Sequence, residues 1–220
     1  MKKIILASQS PRRKELLAQA GFVFDIIISD VDEKITHTKP SEIAESLSRQ
    51  KAEDVFGKIV KKYGTDQMDD YLVIGADTIV AIEDRILGKP KDREDAYNMM
   101  KLLSGRTHQV YTGVTVVTSG ETNIKEESNI QQLNISDDDK KCTKASIYTF
   151  HECTDVTFYD ITDEEINEYL DDSLEWADKA GAYGVQATVG AKFLKELKGD
   201  YNNVVGLPVA RLYQEIKSMM

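Results

Sequence analysis

Up to about Gly105 the chain alternates short apolar runs with segments of helical period, and from Thr107 onward long β-rich runs take over. That change constrains the fold more than any single motif. Alternating strands and helices build parallel pairs with helices on the sheet faces, whereas long strands in succession pair antiparallel. The chain therefore reads as α/β of the mixed α+β kind. A central mixed, partly antiparallel sheet is flanked by helices, and a fully parallel doubly wound sheet is excluded.

Residues 4–7 predict a short buried strand. Ser10 before Pro11 predicts a helix start, Ser capping and Pro in the first turn. Leu16, Leu17 and Ala20 form its apolar stripe, and Gly21 ends it. Residues 22–28 read as the next strand. Pro40 opens a longer helix with Ile43, Leu47, Val55 and Ile59 on one face. Residues 64–70 read as a loop and 71–82 as an apolar strand. Glu83-Asp84-Arg85 is a turn before a short return strand at 86–88. Asp92 caps a helix carrying Ala96, Met99, Met100 and Leu103.

Residues 107–118 and 145–161 are the β-rich runs. Between them, residues 119–144 turn polar and charged and contain Asp137-Asp138-Asp139, which reads as a loop or hairpin insertion. Thr162 to Glu165 form a capping box before a helix through Leu170. Pro208 starts a last helix with Val209, Leu212, Tyr213 and Ile216 facing inward. With 220 residues, no internal repeat and no linker, the expectation is one domain over residues 1–220.

The net charge of -10 weighs against a broad nucleic-acid interface, which needs a basic face. A small anionic substrate held by a few converging cations remains open. The apolar run 4–7 is too short for a membrane or secretory segment. Two cysteines, Cys142 and Cys153, fit a reducing cytoplasm with free thiols, and the short apolar run leaves no membrane partner expected. With only His37, His108 and His151 and no ligand-spaced cysteines, no Cys/His zinc site is expected. His108 and His151 read as structural.

Five features carry chemistry. Arg12 and Arg13 occupy the first turn of a helix, where the dipole disfavours cations. A phosphate bound there would meet backbone N–H groups and two guanidinium forks; two solvated surface arginines are the plainer account. Asp77 is a carboxylate inside an apolar strand, which is costly unless paired, hydrogen-bonded or metal-bound. Gly75 and Ala76 leave room beside it for a ligand. Glu33 stands in an acidic loop that, with a phosphate, suits Mg²⁺; alone it reads as exposed. Lys51 falls on the apolar face of its helix and either snorkels to water or points into a site. Lys89 follows a short strand in Gly88-Lys89-Pro90. The small residues 180–184 allow close approach of a ligand or form a tight turn, and Gln186 has the donor and acceptor to read a nucleobase edge.

These segments occur together and in order: 7–13 (Ala-Ser-Gln-Ser-Pro-Arg-Arg), 75–78 (Gly-Ala-Asp-Thr), 88–90, 103–108, 180–186 and 203–208. The chain resembles the Maf family of nucleoside-triphosphate pyrophosphatases over nearly its whole length. The resemblance implies a Maf/ITPase-like architecture with two lobes around a cleft. It also implies hydrolysis of a nucleoside triphosphate to the monophosphate and pyrophosphate, with a divalent cation (Mg²⁺, Mn²⁺ or Co²⁺). Asp77 is then general base or metal ligand, with Glu33 helping to hold the cation. Ser8, Arg13, Lys51 and Lys89 bind phosphate oxygens. Arg12, Thr78 and Gln186 look like the specificity residues of the dTTP/UTP-preferring branch. Rival readings are an enzyme for modified pyrimidine triphosphates and a nucleotide-binding regulator of cell division or growth arrest. A homodimer is compatible with all of them. The insertion at 119–144, and Ala187 where Gly is common, depart from the family pattern.

Overall fold

The computed structural model describes residues 2–64, 71–83, 85–119, 130–136, 142–172, 174–186 and 188–219. The tip of the expected loop at 64–70, Asp84 of the expected turn, the triplet Asp137-Asp138-Asp139 and Ala187 lie outside them. Among the described residues eight strands form one open sheet: β1 (Lys3–Leu6), β2 (Phe24–Ile26), β3 (Tyr71–Ile82), β4 (Arg85–Leu87), β5 (Thr107–Ser119), β6 (Ile130–Ser136), β7 (Cys142–Phe158) and β8 (Leu194–Lys198). The order along the sheet is β2-β1-β3-β5-β7-β6, with β4 on β3 and β8 on β7. β1 runs parallel to β2 and β3, and every other pair is antiparallel. The expected mixed sheet flanked by helices is the observed one.

Side chains alternate across a strand, and the core divides accordingly. On one face Ile4, Leu6, Leu72, Ile74 and Val80 pack with residues of α1 (Pro11–Gln19), α3 (Arg93–Leu103), α4 (Asp163–Asp172) and, after the short α5 (Thr188–Lys192) and α6 (Tyr201–Val205), α7 (Val209–Ile216). On the other, Ile5, Ala7, Tyr71, Val73 and Val117 meet α2 (Pro40–Tyr63) through Ala52, Val55, Phe56 and Ile59. The helix starts are made as their sequences imply. The Ser10 side chain accepts from the Arg13 amide with Pro11 in the first turn, and the Asp92 side chain accepts from the Asp95 amide. Thr162 and Glu165 exchange side-chain-to-backbone bonds of 2.9 and 3.2 Å. Among the described residues no helix is long and apolar enough to cross a membrane.

Four local expectations need correction. The strand expected at 22–28 shortens to Phe24–Ile26, because its partner β1 ends at Leu6. Tyr213 is 42 % exposed and meets Phe22 edge-on; the inward stripe of α7 is Val209, Leu212 and Ile216. The room expected beside Gly75 is filled by α2, whose Ser48 carbonyl stands where a Cβ would go. Ser119 belongs to β5 and pairs with Ala145, so the polar excursion starts after it; within the excursion, β6 pairs with β7, and residues 120–129 and 137–141 lie outside the described residues.

Candidate active site

β1 stops at Leu6, and the Ala7 amide still reaches the Ile74 carbonyl at 2.8 Å. β4 takes up the same side of β3 only at Val80. Between them, among the described residues, the edge of β3 from Gly75 to Ile79 has no strand beside it, just where the chain leaves β1 and enters α1. A crevice at the carboxyl end of a parallel strand is the usual ligand position in such sheets. A cleft of about 560 Å³ opens there.

Two clusters approach this gap from opposite faces of β3. Asp77 and Thr78 are consecutive, so the pleat sends them to different sides. On the α2 side, Gly75 and Gly113 lack side chains, and α2 lies directly on them at Ser48, Ala52 and Ala44. This close approach brings Lys51 to Asp77, with which its ammonium is hydrogen-bonded, and to Glu33 at 3.2 Å. The Lys51 and Asp77 side chains are only 16 % and 15 % exposed. The buried-carboxylate problem posed by the sequence is solved by pairing. Lys51 points its head into the site, not to open water. It lines the cleft with Glu33, whereas Asp77 stands behind it.

On the α1 side, Arg13 donates from Nε to the Gly206 carbonyl (2.8 Å), from one terminal nitrogen to Ser8 Oγ (3.3 Å) and from the other to Thr78 Oγ1 (3.1 Å). All of these acceptors are neutral. Among the described residues no carboxylate pairs with Arg13. Burial pushes its pKa down; Asp77 and, more weakly, Glu33 oppose that, and neighbouring Arg12 adds to it. Guanidinium stays protonated regardless. Among the described residues the site therefore holds a part-buried cation that makes no ion pair, on the first turn of a helix whose N-terminal amides favour anions.

The remaining expected residues also line this cleft. Ser8 is buried and accepts from the Ser10 amide. Arg12 pairs with Asp178 at 3.5 Å. Lys89 is exposed and carries no ion pair among the described residues. Gln186 is exposed and belongs to a second stretch of cleft wall, residues 178–180 and 183–186. That wall, the turn at Ala180–Ala182 and the residues after it, is tied down at three points. Gly181 donates its amide to the Gly88 carbonyl, Tyr169 Oη donates to the Ala182 carbonyl, and Tyr183 Oη meets His108 Nε2 at 2.6 Å. His108 is buried, and desolvation pulls its pKa down to about 4. Its role here is structural, as expected. His151 hydrogen-bonds Glu45 at 2.7 Å and lines a different cleft.

Sequence reasoning assigned no part to Asp178, Lys179, Thr112 or Gly206. The Asp-Lys pair directly before the small-residue segment was a usable signal for the first two. Thr112 carries none, since it is one of several threonines in a β run. Gly206 lay within a noticed motif, but its carbonyl bond to a residue 193 positions away is visible only in the fold.

A family model described as Maf-like protein matches residues 3–219. The chain belongs to the Maf family. Among its relatives is a protein of Agathobacter rectalis named dTTP/UTP pyrophosphatase, 46% identical over 224 residues covering 100% of this chain and 98% of the relative. A protein of the same name from Bacillus thuringiensis subsp. konkukian is 45% identical over 218 residues, covering 99% and 95%. Five of the six Maf segments quoted from the sequence contribute residues to this cleft, and 103–108 does not. Residues 7–13, Thr78, Lys89, Ala180, residues 183–186 and 204–206 line it, and Lys51 links it to Asp77.

Proposed function

We propose that this Maf protein hydrolyses nucleoside triphosphates to the monophosphate and pyrophosphate, with dTTP and UTP preferred. The observation that carries the reading is the meeting, at one cleft, of a guanidinium with no ion-pair partner among the described residues at a helix start and of Lys51, which bridges Glu33 in the cleft to Asp77 behind it. The names of the relatives point the same way. A triphosphate against Ser8 and the first turn of α1 receives the Arg13 fork, with Lys51 and Lys89 supplying further charge for the phosphate chain. These donors stabilise negative charge growing on the departing pyrophosphate. Asp77 accepts the proton of the attacking water, and Arg12, Thr78 and Gln186 govern the choice of nucleobase. A wall that hydrogen-bonds a pyrimidine edge rejects purines because its polar groups would be left unpaired.

A divalent cation belongs to this reading. Glu33 and Asp77 already converge on one cation, the Lys51 ammonium, and a pair of carboxylates completed by phosphate oxygens suits Mg²⁺ or a similar hard ion. Bound there, it would neutralise charge on the phosphates; Glu33 and Asp77 would hold it while Lys51 turned to the triphosphate. The cytoplasm, where nucleoside triphosphates are used, is the compartment this reading implies. The test is pyrophosphate release from a panel of canonical and modified triphosphates, with and without Mg²⁺, for wild type and Asp77→Asn. Loss of a general base lowers kcat by about 10²–10⁴. Wild-type turnover in Asp77→Asn would refute the assignment of Asp77, and no release from any triphosphate would refute the function.

A further inference from the structure

Thr78 lies on the Arg13 side of β3, and its hydroxyl is already committed. Three oxygens and one nitrogen form a line running away from the cleft. Arg13 donates to Thr78 Oγ1 at 3.1 Å, Thr78 Oγ1 lies 2.9 Å from Thr112 Oγ1, and Thr112 Oγ1 donates to the Asn203 carbonyl at 3.0 Å. Thr78 and Thr112 are direct partners across the β3–β5 pair. A carbonyl only accepts and a hydroxyl has one hydrogen. The Thr112 hydrogen goes to Asn203, so Thr112 presents a lone pair to Thr78. The Thr78 hydrogen goes to Thr112, because its other acceptor, the Gly206 carbonyl, is 3.4 Å away and already takes Arg13 Nε at 2.8 Å. That leaves Thr78 with a lone pair facing the guanidinium. The line has one direction, and it ends on a fixed anchor. Asn203 is fully buried, and its side-chain amide donates to the Val110 carbonyl and to Thr154 Oγ1, both at 2.9 Å.

We infer that Thr112, which is fully buried and lines no part of the cleft, is a positioning residue that aims the Arg13 fork at the triphosphate through Thr78. The inference rests on the proposed function for the identity of the anion, but its geometry does not. It also explains the 203–208 segment, in which the Asn203 carbonyl anchors the line and the Gly206 carbonyl holds Nε. Gly206 sits at φ +132°, a conformation that L side chains rarely adopt. Thr78 gains an indirect route to specificity, since the hydroxyl that would read a nucleobase is spent on Arg13.

The experiment compares wild type, Thr112→Val, Thr112→Ser, Arg13→Lys and the double variant Arg13→Lys/Thr112→Val. Binding of inorganic tripolyphosphate without metal is measured by calorimetry, and pyrophosphate release from dTTP by steady-state kinetics. Valine keeps the shape and removes the hydrogen bond. It is expected to raise the tripolyphosphate Kd about tenfold, the loss of roughly one charge-assisted bond, and to lower kcat/KM in parallel. Serine is expected to restore both to within about twofold. In the Arg13→Lys background, which lacks the fork, valine is expected to add less than about twofold, because the two residues act as one unit. Wild-type binding by Thr112→Val overturns the inference. So does an equal loss in both backgrounds, which would assign Thr112 to the fold at large. Should valine not fold, Thr112→Cys, with a weakly donating thiol, carries the same comparison. A wild type that binds tripolyphosphate but hydrolyses no triphosphate removes the catalytic reading and leaves the binding test standing.

Discussion

Gly75→Ala and Gly57→Ala add the same methyl group to the same helix–sheet layer and are expected to act in opposite directions. A Cβ on Gly75 would stand 2.3 Å from the Ser48 carbonyl oxygen and 2.9 Å from the backbone nitrogen of Ala52, where ordinary contact begins at 3.4 Å. Both obstacles are α2 backbone, so no rotamer change relieves them, and α2 must withdraw by about 1 Å. Such overpacking costs about 1–3 kcal/mol, and each kcal/mol lowers Tm by roughly 2–4 °C in a chain of this size. Because α2 also carries Lys51, the shift opens the contact with Asp77. Misplacing a reacting group by about 1 Å costs roughly a hundredfold in rate. Gly57, in the middle of α2, has nothing within 4 Å of its Cβ position. Alanine there removes a helix penalty of about 0.5–1 kcal/mol, so Tm is expected to rise with turnover unchanged. Thermal unfolding followed by circular dichroism, with pyrophosphate release on the same samples, measures both. A Gly75→Ala protein with wild-type Tm and wild-type rate would refute the argument that bare glycines seat α2 and thereby set Lys51 on Asp77.

Three further outcomes are expected. Gln186→Ala should narrow the difference in kcat/KM between dTTP and purine triphosphates while changing tripolyphosphate affinity little; an unchanged ranking would free Gln186 from nucleobase selection. Burial lowers the His108 pKa from 6.5 to about 4 against a smaller opposing effect of Asp155, so the unfolded chain takes up this proton first as pH falls. Its contribution is whole above pH 6.5 and lost as pH falls through 4; urea unfolding at pH 7 and pH 4.5 should therefore cost wild type on the order of 2–3 kcal/mol more than His108→Gln, and equal losses would contradict a buried neutral imidazole. Ser119 and Ala145 face each other across β5 and β7, so replacing residues 120–144 by a short Asn-Gly turn should leave a folded, active enzyme. Loss of pyrophosphate release in a protein that still unfolds cooperatively would assign those residues to the site.

Much of this molecule is legible in its sequence, and for local reasons. Ser10-Pro11, Asp92 and the Thr162–Glu165 box announce helix starts because capping is a matter of three or four consecutive residues. The two-sided apolar run of β3 announces a strand covered on both faces. Period two also implies that Asp77 and Thr78 part company, although nothing in the sequence says what each will meet. β8 was not legible: Leu-Lys-Glu-Leu-Lys consists of good helix formers, and it becomes a strand only because β7 offers an open edge at Asp155–Phe158.

The candidate site divides along the same line. Its residue types could be named from motifs, since a cation at a helix start and a carboxylate in an apolar strand are anomalies visible in one dimension. Their assembly could not. Lys51 reaches Asp77 because two glycines let a helix lie on the sheet. Arg13 is aimed by Gly206 and, through Thr78, by a threonine on the neighbouring strand. The cleft exists because β1 stops opposite Ile74 while β3 runs on, and β4 joins β3 only at Val80. Charges and caps are properties of residues and travel with the sequence; register, close approach and the open edge of a strand are properties of pairs, and only the folded chain decides which pairs are made.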